Sequence, residues 1–499
     1  MDKTVFKRKQ PVANTAKRGT SVIEKSTDTE IRGNLYAKCL GEFPIRKAIA
    51  PTNPMPKISN RLIRSLNAAP NVSETLSPND KQLDSAKTIA RDLVIFSLLE
   101  SRLLSLRDNV SLRLGDAMKI DFLLPIRSDI AIVDNSSSQI IIDFLDSLDS
   151  QATHTVIHTR LELLNLWVFI GGLFTLPFYR VRGFSLWLWY VETYLKFVRP
   201  KLVLTFIDNN PEFWKLSKRA AGQYRTAFFQ NGRRYNLLDV FETVNARDDY
   251  FVDAMFVHSN ASASLYEKVV GGNIHVVGSI KNNSLVPPSS LSRKRQVVWM
   301  SGWEPYSDSA NYAHDLFGEP VGYERYFEVD EKLLSMVAQY CKKRGFVLQI
   351  AGRESKSDGD EHEYFKSVLG DIFFEFSPKL GLLSNYELLD ASLIGVSLDG
   401  TLAYESLARG NRTAIFPWRS ETLRSPASLF AWPLTFPSQG PFWDCKQEFS
   451  AVERVLDTLT LASDKEWKNT VEKYAPLVMA TDWSNALTKL VTGNLLEDE

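Results

Sequence analysis

Short runs of apolar residues, each ending in polar or small residues, recur along the middle of the chain. Five of them fall in its first half: DIAIVDN (129–135), KLVLTFIDNN (201–210), TAFFQNG (226–232), DAMFVHS (253–259) and NIHVVGS (273–279). Continuous apolar runs of this length are typical of strands buried on both faces, and the helical stretches between them supply the crossovers of a parallel sheet. The pattern therefore predicts a Rossmann-like α/β domain over residues 86–283.

The same alternation of apolar runs and helical stretches resumes after a segment rich in proline, serine and basic residues. This segment, SLVPPSSLSRKR (284–295), predicts an interdomain linker. Further strands are predicted at 296–302, 346–352, 371–376, 391–398 and 412–417, with a helix over 331–344. The sequence thus predicts a second doubly wound domain over residues 296–450 and helices over residues 451–499.

The start of the chain lacks this order. Residues 1–85 are polar at first and then punctuated by six prolines, which predicts an irregular, disordered extension. An amphipathic helix is predicted next, over residues 85–106.

One apolar segment leaves three alternatives open. Residues 163–179 (LLNLWVFIGGLFTLPFY) carry no charge, but two glycines and a proline interrupt them and a spanning helix needs about 20 apolar residues. A buried core segment is favoured, ahead of a surface that rests on a membrane and of a true span. The aromatic and basic residues that follow keep contact with the inner face of the plasma membrane open.

Composition excludes several classes of protein. Lys and Arg total 59, as do Asp and Glu, so the chain lacks the basic excess of a nucleic-acid binder. Its three cysteines match no zinc spacing and form no disulfide framework, which favours the reducing cytoplasm. We expect no metal and no cofactor.

The most informative stretch is ASLIGVSLDGTLAYESLARGNRTAIFP (391–417). A buried strand is followed by the turn Asp399-Gly400-Thr401 and then by a helix. Gly400 allows close backbone approach, and the helix start presents amides with a partial positive charge, a combination suited to phosphate. Glu405 lies one turn further on the same face, where it could accept hydrogen bonds from ribose hydroxyls. The plainer alternative is a capped helix with a surface glutamate.

Polar residues also follow the strands of the first half. Asp208 ends the second strand and is the leading candidate for a general base or nucleophile, with a helix-capping role as the alternative. His258 and Asp134 are rival catalytic candidates. An acceptor or anion is expected to contact residues that follow the second and third strands: Asn209, Asn210, Gln230, Asn231, Arg233 and Arg234.

Five more residues are candidates for donor binding. Ser279 and Lys281 end the first half and could contact donor phosphate or form a hinge turn. Ser301 and Gly302 end the first strand of the second half, where their backbone amides could contact the donor. Arg353 follows strand 346–352 and could neutralise a leaving phosphate, with a surface ion pair as the alternative.

These motifs resemble those of a known family. The layout strand-DGT-xxxE-xxxRG-strand is similar to the donor region of GT-B glycosyltransferases, in which the acidic residue binds ribose. Five segments resemble bacterial surface carbohydrate biosynthesis proteins, encoded with lipopolysaccharide or capsule genes: IAIVDNSSSQIIIDFL, KFVRPKLVLTFIDNNPEFWKL, FFQNGRR, DAMFVHSNASASLYEKVVGG and VVGSIKNN. The resemblance covers roughly residues 90–420.

The resemblance implies a GT-B-like fold, with two parallel-sheet domains facing a cleft, and a glycosyltransferase. Its partners would be a nucleotide sugar, with a CMP-linked donor among the options, and a glycan or lipid-linked glycan acceptor. Alternatives on the same fold are a Kdo-type CMP-sugar or CDP-glycerol transferase, a nucleotide-sugar 2-epimerase and a non-catalytic assembly protein. The donor assignment requires residues 399–405 to face a gap between the domains rather than pack against another element.

Overall fold

The computed structural model describes residues 119–135, 137–147, 152–159, 163–182, 184–234, 239–244, 247–285, 293–425 and 436–481. All of them belong to one unit of the chain, Leu99–Glu499. The predicted N-terminal extension and the predicted helix over 85–106 lie outside the described residues.

The described residues form strands that match most of the apolar runs. The strands are β1 Lys119–Asp121, β2 Ile130–Val133, β3 His154–Ile157, β4 Leu163–Asn165, β5 Leu202–Thr205, β6 Arg225–Phe229, β7 Phe251–Val257, β8 Gly271–Val276, β9 Lys294–Met300, β10 Ala313–His314, β11 Pro320–Val321, β12 Val347–Ala351, β13 Glu375–Ser377, β14 Ser392–Ser397 and β15 Thr413–Ile415.

Helices occupy the crossovers between these strands and the end of the described chain. They are α1 Ser138–Ser147, α2 Leu166–Gly172, α3 Leu176–Val181, α4 Leu186–Val198, α5 Pro211–Arg219, α6 Val240–Thr243, α7 Asn260–Tyr266, α8 Ile280–Asn283, α9 Tyr323–Arg344, α10 Asp360–Leu369, α11 Ser384–Asp390, α12 Thr401–Ala408, α13 Arg419–Thr422, α14 Phe449–Leu461 and α15 Asp464–Val478.

Residues 119–285, the N-lobe, contain a parallel sheet of six strands in the order β3-β2-β5-β6-β7-β8. The central strands β2 and β5 are buried at every position, which explains their unbroken apolar sequences. From β2 the chain adds β3 on one side of the sheet, and β5 to β8 then follow in order on the other side. Its topological switch point therefore lies beyond Val133 and Thr205, where a ligand of an open α/β sheet is expected.

Residues 293–478, the C-lobe, contain a second parallel sheet, of five strands in the order β13-β12-β9-β14-β15. This is the strand order of a Rossmann domain, with its switch point between β9 and β14. The predicted fold of two Rossmann-like lobes is therefore confirmed. The segments that follow those two strands are the ones that sequence analysis singled out, Ser301-Gly302 and Asp399–Thr401.

The two lobes have separate hydrophobic cores. Two clusters of buried apolar side chains cover the two faces of the N-lobe sheet, and a third fills the C-lobe around β9, β12, β14 and the helices that cover them. The one apolar bridge within these clusters is the contact of half-buried Leu382 and Leu383 with the N-lobe. Interfaces of this polar kind are typical of domains that move relative to each other.

Two predictions about chain segments differ from the structure. Strand β9 begins at Lys294, so the end of the predicted 284–295 linker is part of the C-lobe sheet; residues 286–292 lie outside the described residues. The apolar segment 163–179 forms β4, α2 and most of α3, and only part of it is buried. Within the described residues, no helix combines the length and apolarity needed to cross a bilayer.

The chain returns to the N-lobe after α15. The amide of Ala480 donates a hydrogen bond to the carbonyl oxygen of His258, at 2.7 Å. Gly278 lies against the same turn with a φ of +81°, and a Cβ added there would overlap the Ala480 carbonyl oxygen. Only glycine combines this left-handed conformation with so close a backbone approach.

We expect Gly278→Ala to lower Tm clearly more than Gly222→Ala. Both glycines have a φ near +80°, but Gly222 has open space around its Cβ position. The shared left-handed strain costs roughly 1 kcal/mol, whereas the overlap at Gly278 adds about 1–3 kcal/mol. Thermal unfolding followed by circular dichroism compares the two. Equal shifts would contradict the close approach of Ala480.

Candidate functional site

Loops at the carboxyl ends of the two sheets contact each other directly. Arg233, which follows β6, donates its backbone amide to Thr401 Oγ1 at 3.1 Å, and its Nη2 lies 2.7 Å from Asp399 Oδ2. Ser279, which follows β8, donates to Glu405 Oε1 at 2.5 Å. Residues predicted from separate halves of the sequence are thus brought together at one interface.

Asp399 is buried between two arginines. Arg419 Nη1 donates to Asp399 Oδ1 at 2.9 Å, opposite the contact with Arg233, and Arg419 Nη2 also pairs with both oxygens of Asp330. Burial alone would raise the pKa of Asp399, but the guanidiniums of Arg233 and Arg419 hold it below its usual range. The carboxylate therefore stays ionised and links the two lobes.

The turn at Gly400 begins helix α12 as predicted. Gly400 donates its amide to Ser397 Oγ at 3.1 Å, and no side chain caps the helix within the described residues. Its first-turn amides therefore keep the partial positive charge that attracts anions. The N-lobe approaches the same turn, since the Cβ position of Gly232 lies 3.5 Å from Thr401 Oγ1.

Glu405 is buried at the same interface. Its second carboxylate oxygen accepts a hydrogen bond from the Tyr386 hydroxyl at 2.8 Å. Burial and then the Glu405 charge raise the pKa of Tyr386 well above its usual range, so this hydroxyl keeps its proton and donates. One oxygen of Glu405 thus has its partner on the N-lobe and the other on the C-lobe.

The expected gap beside residues 399–405 is closed in this conformation. Asp399, Thr401 and Glu405 face the other lobe but pack directly against its loops, so the condition of an open gap is not met in this conformation. Because their polar atoms already have partners, a ligand can reach them only after the lobes separate.

Asp208 occupies a different environment from the one that sequence analysis favoured. It is fully buried, and Arg234 contacts both of its oxygens, at 2.7 Å from Nε and 2.5 Å from Nη2. The amide of Asn231 and the hydroxyl of Tyr266 also donate to this carboxylate. A buried carboxylate with four hydrogen-bond donors holds the loop that carries Asn231 and Arg234 in place.

His258 is neutral in the folded protein. Its ring Nε2 lies 2.9 Å from the carbonyl oxygen of Gln230, which can only accept, so Nε2 carries the proton. Burial lowers the pKa of His258 to about 4, against a smaller opposite effect of Asp208. Its Nδ1 is buried without a partner among the described residues. A free acceptor atom therefore lies in the N-lobe, at the end of β7.

The remaining N-lobe candidates have mostly structural partners. Asn210 caps α5 by accepting from the Glu212 amide, Asn231 Oδ1 accepts from Arg234, and Gln230 accepts from the His258 amide. Asn209 is half-buried beside them. Asp134 has a left-handed φ of 77° and accepts from Thr159 at 2.9 Å, on the side of the sheet towards β3.

Lys281 and Arg353 differ in their surroundings. Lys281 is half-buried with its Nζ 4.7 Å from the ring centre of Phe206, and desolvation lowers its pKa. Arg353 is half-exposed and donates to the carbonyl of Trp303 and, at 3.3 Å, to Glu304. Such an exposed ion pair is weak, so Arg353 is able to turn towards another anion.

Sequence analysis missed the residues that arrange the C-lobe side of the interface. Glu361, fully buried at the start of α10, accepts from Ser301 Oγ and from the amides of Arg353 and Glu354. Asp330 and Arg419 form a buried ion pair, and a Cβ on Gly302 would lie 3.4 Å from both. Asp330 lies three residues after Phe327 and three before Leu333, so the helical spacing places it on the apolar face of α9. A carboxylate on an apolar helix face indicates a buried charged partner, and this signal was present in the sequence.

An open groove of about 1120 Å³ lies next to this interface, beyond the end of β9. Aromatic side chains such as Trp303 and Tyr306 line it together with five carboxylates: Glu324, Glu328, Glu331, Asp360 and Glu363. This excess of negative charge disfavours phosphate. An anion is therefore better placed on the side of Arg233 and the α12 start. Within the described residues, no group of three or more His, Cys, Asp and Glu side chains is arranged to hold a metal.

Fold and site together define a two-lobed α/β protein with polar, arginine-rich loops meeting between Rossmann-like sheets. A family model described as "putative O-antigen biosynthesis protein" matches residues 227–495, more than half of the chain. The chain belongs to this family, and the resemblance to surface carbohydrate biosynthesis proteins is confirmed.

Comparison with solved structures finds remote likenesses. The chain is similar to MnaA of S. aureus in complex with UDP (12% identity, 77% of this chain, 98% of that chain, TM-score 0.42). It is also similar to UDP-GlcNAc 2-epimerase from Neisseria meningitidis bound to UDP-GlcNAc, with 12% identity over 76% of this chain and 100% of that chain and a TM-score of 0.39. A third likeness is to the wall teichoic acid polymerase TagF, with 8% identity over 85% of this chain and 100% of that chain and a TM-score of 0.43. No curated protein matches the sequence. Likenesses this remote do not bear on the reaction.

We expect Asp208→Asn to destabilise the protein far more than Asp249→Asn. The first substitution leaves the buried Arg234 charge without its counter-ion, at a cost of about 3–5 kcal/mol. The second removes an exposed pair with Arg247, worth about 1 kcal/mol or less. Tm from differential scanning calorimetry compares them. A stable but inactive Asp208→Asn protein would instead support direct participation in catalysis.

We expect His258→Gln to reduce the loss of stability at mildly acidic pH. Unfolded His258 takes up a proton below about pH 6.5 and folded His258 only near pH 4, so stability falls as pH drops through this window. At pH 5 this amounts to about 2 kcal/mol. Asp239 and Asp330, whose pKa burial raises to about 6, act in the opposite direction in both proteins.

The measurement is Tm of wild type and variant at pH 7.5 and pH 5. Because the two aspartates contribute equally to both proteins, the difference between the proteins isolates His258. Identical pH dependence would contradict a buried neutral histidine.

Proposed function

We propose that this protein is a glycosyltransferase that moves a sugar from a nucleotide-activated donor to a growing surface polysaccharide. The observation that carries the proposal is the meeting of carboxyl-end loops from both parallel sheets at Arg233, Asp399 and Thr401. Ligands of open α/β sheets bind at such edges. Membership of an O-antigen biosynthesis family supports a sugar-transfer pathway.

Separation of the lobes would free the donor-binding groups together. Asp399, Thr401 and Glu405 each have a partner on the N-lobe, in Arg233 or Ser279. The hydrophobic cores of the lobes are separate clusters, although α15 of the C-lobe also packs against α7 of the N-lobe. A ligand that entered would replace one set of polar partners by another.

Each freed group suits one part of a nucleotide sugar. The uncapped start of α12 at Gly400 and Thr401, with Arg233 opposite, would hold phosphate. Glu405, still oriented by Tyr386, would accept hydrogen bonds from ribose in place of Ser279. Arg353, Lys281 and the backbone at Ser301 and Gly302 would complete the donor site. Protein groups rather than a metal would stabilise the leaving phosphate.

His258 is the proposed proton acceptor for the incoming hydroxyl. Its Nδ1 lone pair has no partner among the described residues, whereas the Asp208 carboxylate has four donors. Hydration of the separated lobes would remove part of the burial that lowers the pKa of His258, which would strengthen it as a base. Asp208 would act by positioning Arg234 and the 231–234 loop, where an acceptor glycan would bind.

A nucleotide panel tests the donor site. The full chain is incubated with CMP-, CDP-, UDP-, GDP- and dTDP-linked sugars and with CDP-glycerol, and Tm and nucleotide release are measured with and without acceptor glycan. We expect one nucleotide class to raise Tm, since a ligand of the folded state stabilises it, and release to require acceptor. Turnover without acceptor would indicate an epimerase. Release of CMP with transfer of glycerophosphate would indicate a CDP-glycerol transferase.

We expect Glu405→Gln to weaken nucleotide binding by about 10- to 100-fold, because hydrogen bonds to a charged group contribute about 1.5–3 kcal/mol. The matched control is Glu375→Gln, an exposed carboxylate on β13 of the same lobe. Titration of the Tm shift with nucleotide compares the affinities. Equal affinities would contradict the ribose assignment, and unchanged surface glycan in cells carrying Glu405→Gln would favour an assembly protein.

A further inference from the structure

A compact group of exposed apolar side chains lies on the N-lobe at α2 and α3. We name residues 163–182 the apolar hairpin; they comprise β4, the two short helices and the turn between them. Phe174 in the turn is 93% exposed and Val181 is 89% exposed. Phe169, Ile170, Leu173 and Phe178 are exposed as well. An apolar surface this dense usually marks an interaction site.

The inner face of the hairpin is well packed, so the exposed face is a built feature. Trp189 of α4 donates its indole N–H to the carbonyl of Gly172 at 3.0 Å. A Cβ on Gly172 would lie 2.5 Å from the same indole ring. Val168 and Tyr179 are buried beneath. The hairpin is held rigidly while its outer side chains point into solvent.

A neighbouring segment extends this surface. Residues 122–124 are tied to the start of α2, since Asn165 donates to the Leu123 carbonyl at 2.7 Å and Trp167 Nε1 to the Phe122 carbonyl at 2.8 Å. Leu123 is 75% exposed and Ile126 is 79% exposed. Two adjacent stretches of chain therefore present apolar side chains on the same part of the lobe.

The charged side chains of the apolar hairpin itself are all positive. The sequence has no Asp or Glu from Leu163 to Val191, but it has Arg180 and Arg182, both exposed. The Arg182 guanidinium lies 3.9 Å from the ring centre of Phe178, so cation and apolar surface are adjacent. Exposed apolar side chains with arginines beside them are the pattern of helices that lie in the interface of an anionic membrane.

We propose that the apolar hairpin docks this protein onto a lipid bilayer with anionic headgroups. Phe174, Phe178 and Val181 insert among the acyl chains near the headgroups, and Arg180 and Arg182 contact lipid phosphate. The helices are six and seven residues long, so they lie at the surface. This inference does not depend on the proposed sugar transfer.

Charge disfavours the two other occupants. A second copy that used the same patch would bring its own arginines against Arg180 and Arg182. The first 118 residues carry 20 Lys and Arg against 12 Asp and Glu, so their net positive charge opposes contact with a cationic surface. The same positive charge favours an anionic bilayer.

Vesicle co-sedimentation of the full chain tests the proposal. We expect binding to vesicles of phosphatidylcholine with phosphatidylglycerol, and weaker binding to phosphatidylcholine alone. The double variant Phe174→Ser/Val181→Ser should lower the partition coefficient at least about tenfold. Its control is Phe373→Ser/Leu380→Ser, which removes two side chains that are 73% and 80% exposed on the C-lobe. Unchanged Tm shows that each variant is folded.

A charge-reversal variant tests the electrostatic contribution to vesicle binding. Arg180→Glu/Arg182→Glu should abolish the preference for anionic vesicles, whereas Lys366→Glu/Lys468→Glu, two exposed C-lobe lysines, should retain it. Absence of vesicle binding by wild type, or equal binding by Phe174→Ser/Val181→Ser, would overturn the proposal. A dimer in analytical ultracentrifugation that this variant dissociates would assign the patch to a second copy and would also overturn it.

Discussion

The contact of Arg233 with Asp399 and Thr401 is the interaction on which the arrangement of the two lobes depends. One arginine at the end of an N-lobe strand satisfies both the carboxylate and the hydroxyl at the start of a C-lobe helix. Asp399 in turn connects Arg233 to Arg419, and Arg419 to Asp330. A chain of alternating charges therefore runs from the N-lobe loop to the apolar face of α9.

Much of the fold could be predicted because buried strands carry unbroken apolar sequences. The runs that became β2, β5, β7, β9 and β14 ended within a few residues of their predicted bounds. Strand β3, HTVI, was missed because its exposed and half-buried edge position demands fewer apolar residues. The apolar hairpin was harder still, since hydropathy cannot separate side chains that pack inwards from those that face solvent.

The sequence could predict where the candidate site lies, but it could predict the contacts of the individual residues only in part. Residues after strand ends had to converge at the sheet edges, and Arg233, Ser279, Asp399, Thr401 and Glu405 do. Which of these side chains contact each other, however, depends on their distances in the folded protein. Arg234 lies 26 positions from Asp208 in the chain and occupies both of its oxygens, and Tyr266 is 58 positions away. A single sequence carries no signal for such partners, so the contacts of Arg234 and Tyr266 with Asp208 could not be predicted.

The closed interface is compatible with a binding site because buried ion pairs contribute little net stability. The attraction between Arg233 and Asp399 is largely offset by the cost of removing both charges from water. The separate cores add little apolar contact between the lobes. On the proposed function, a phosphorylated ligand that pairs with Arg233 and the α12 start would replace the contact with Asp399 and favour the separated lobes. On the proposed function, the same residues would close the protein in the absence of ligand and bind the ligand when it is present.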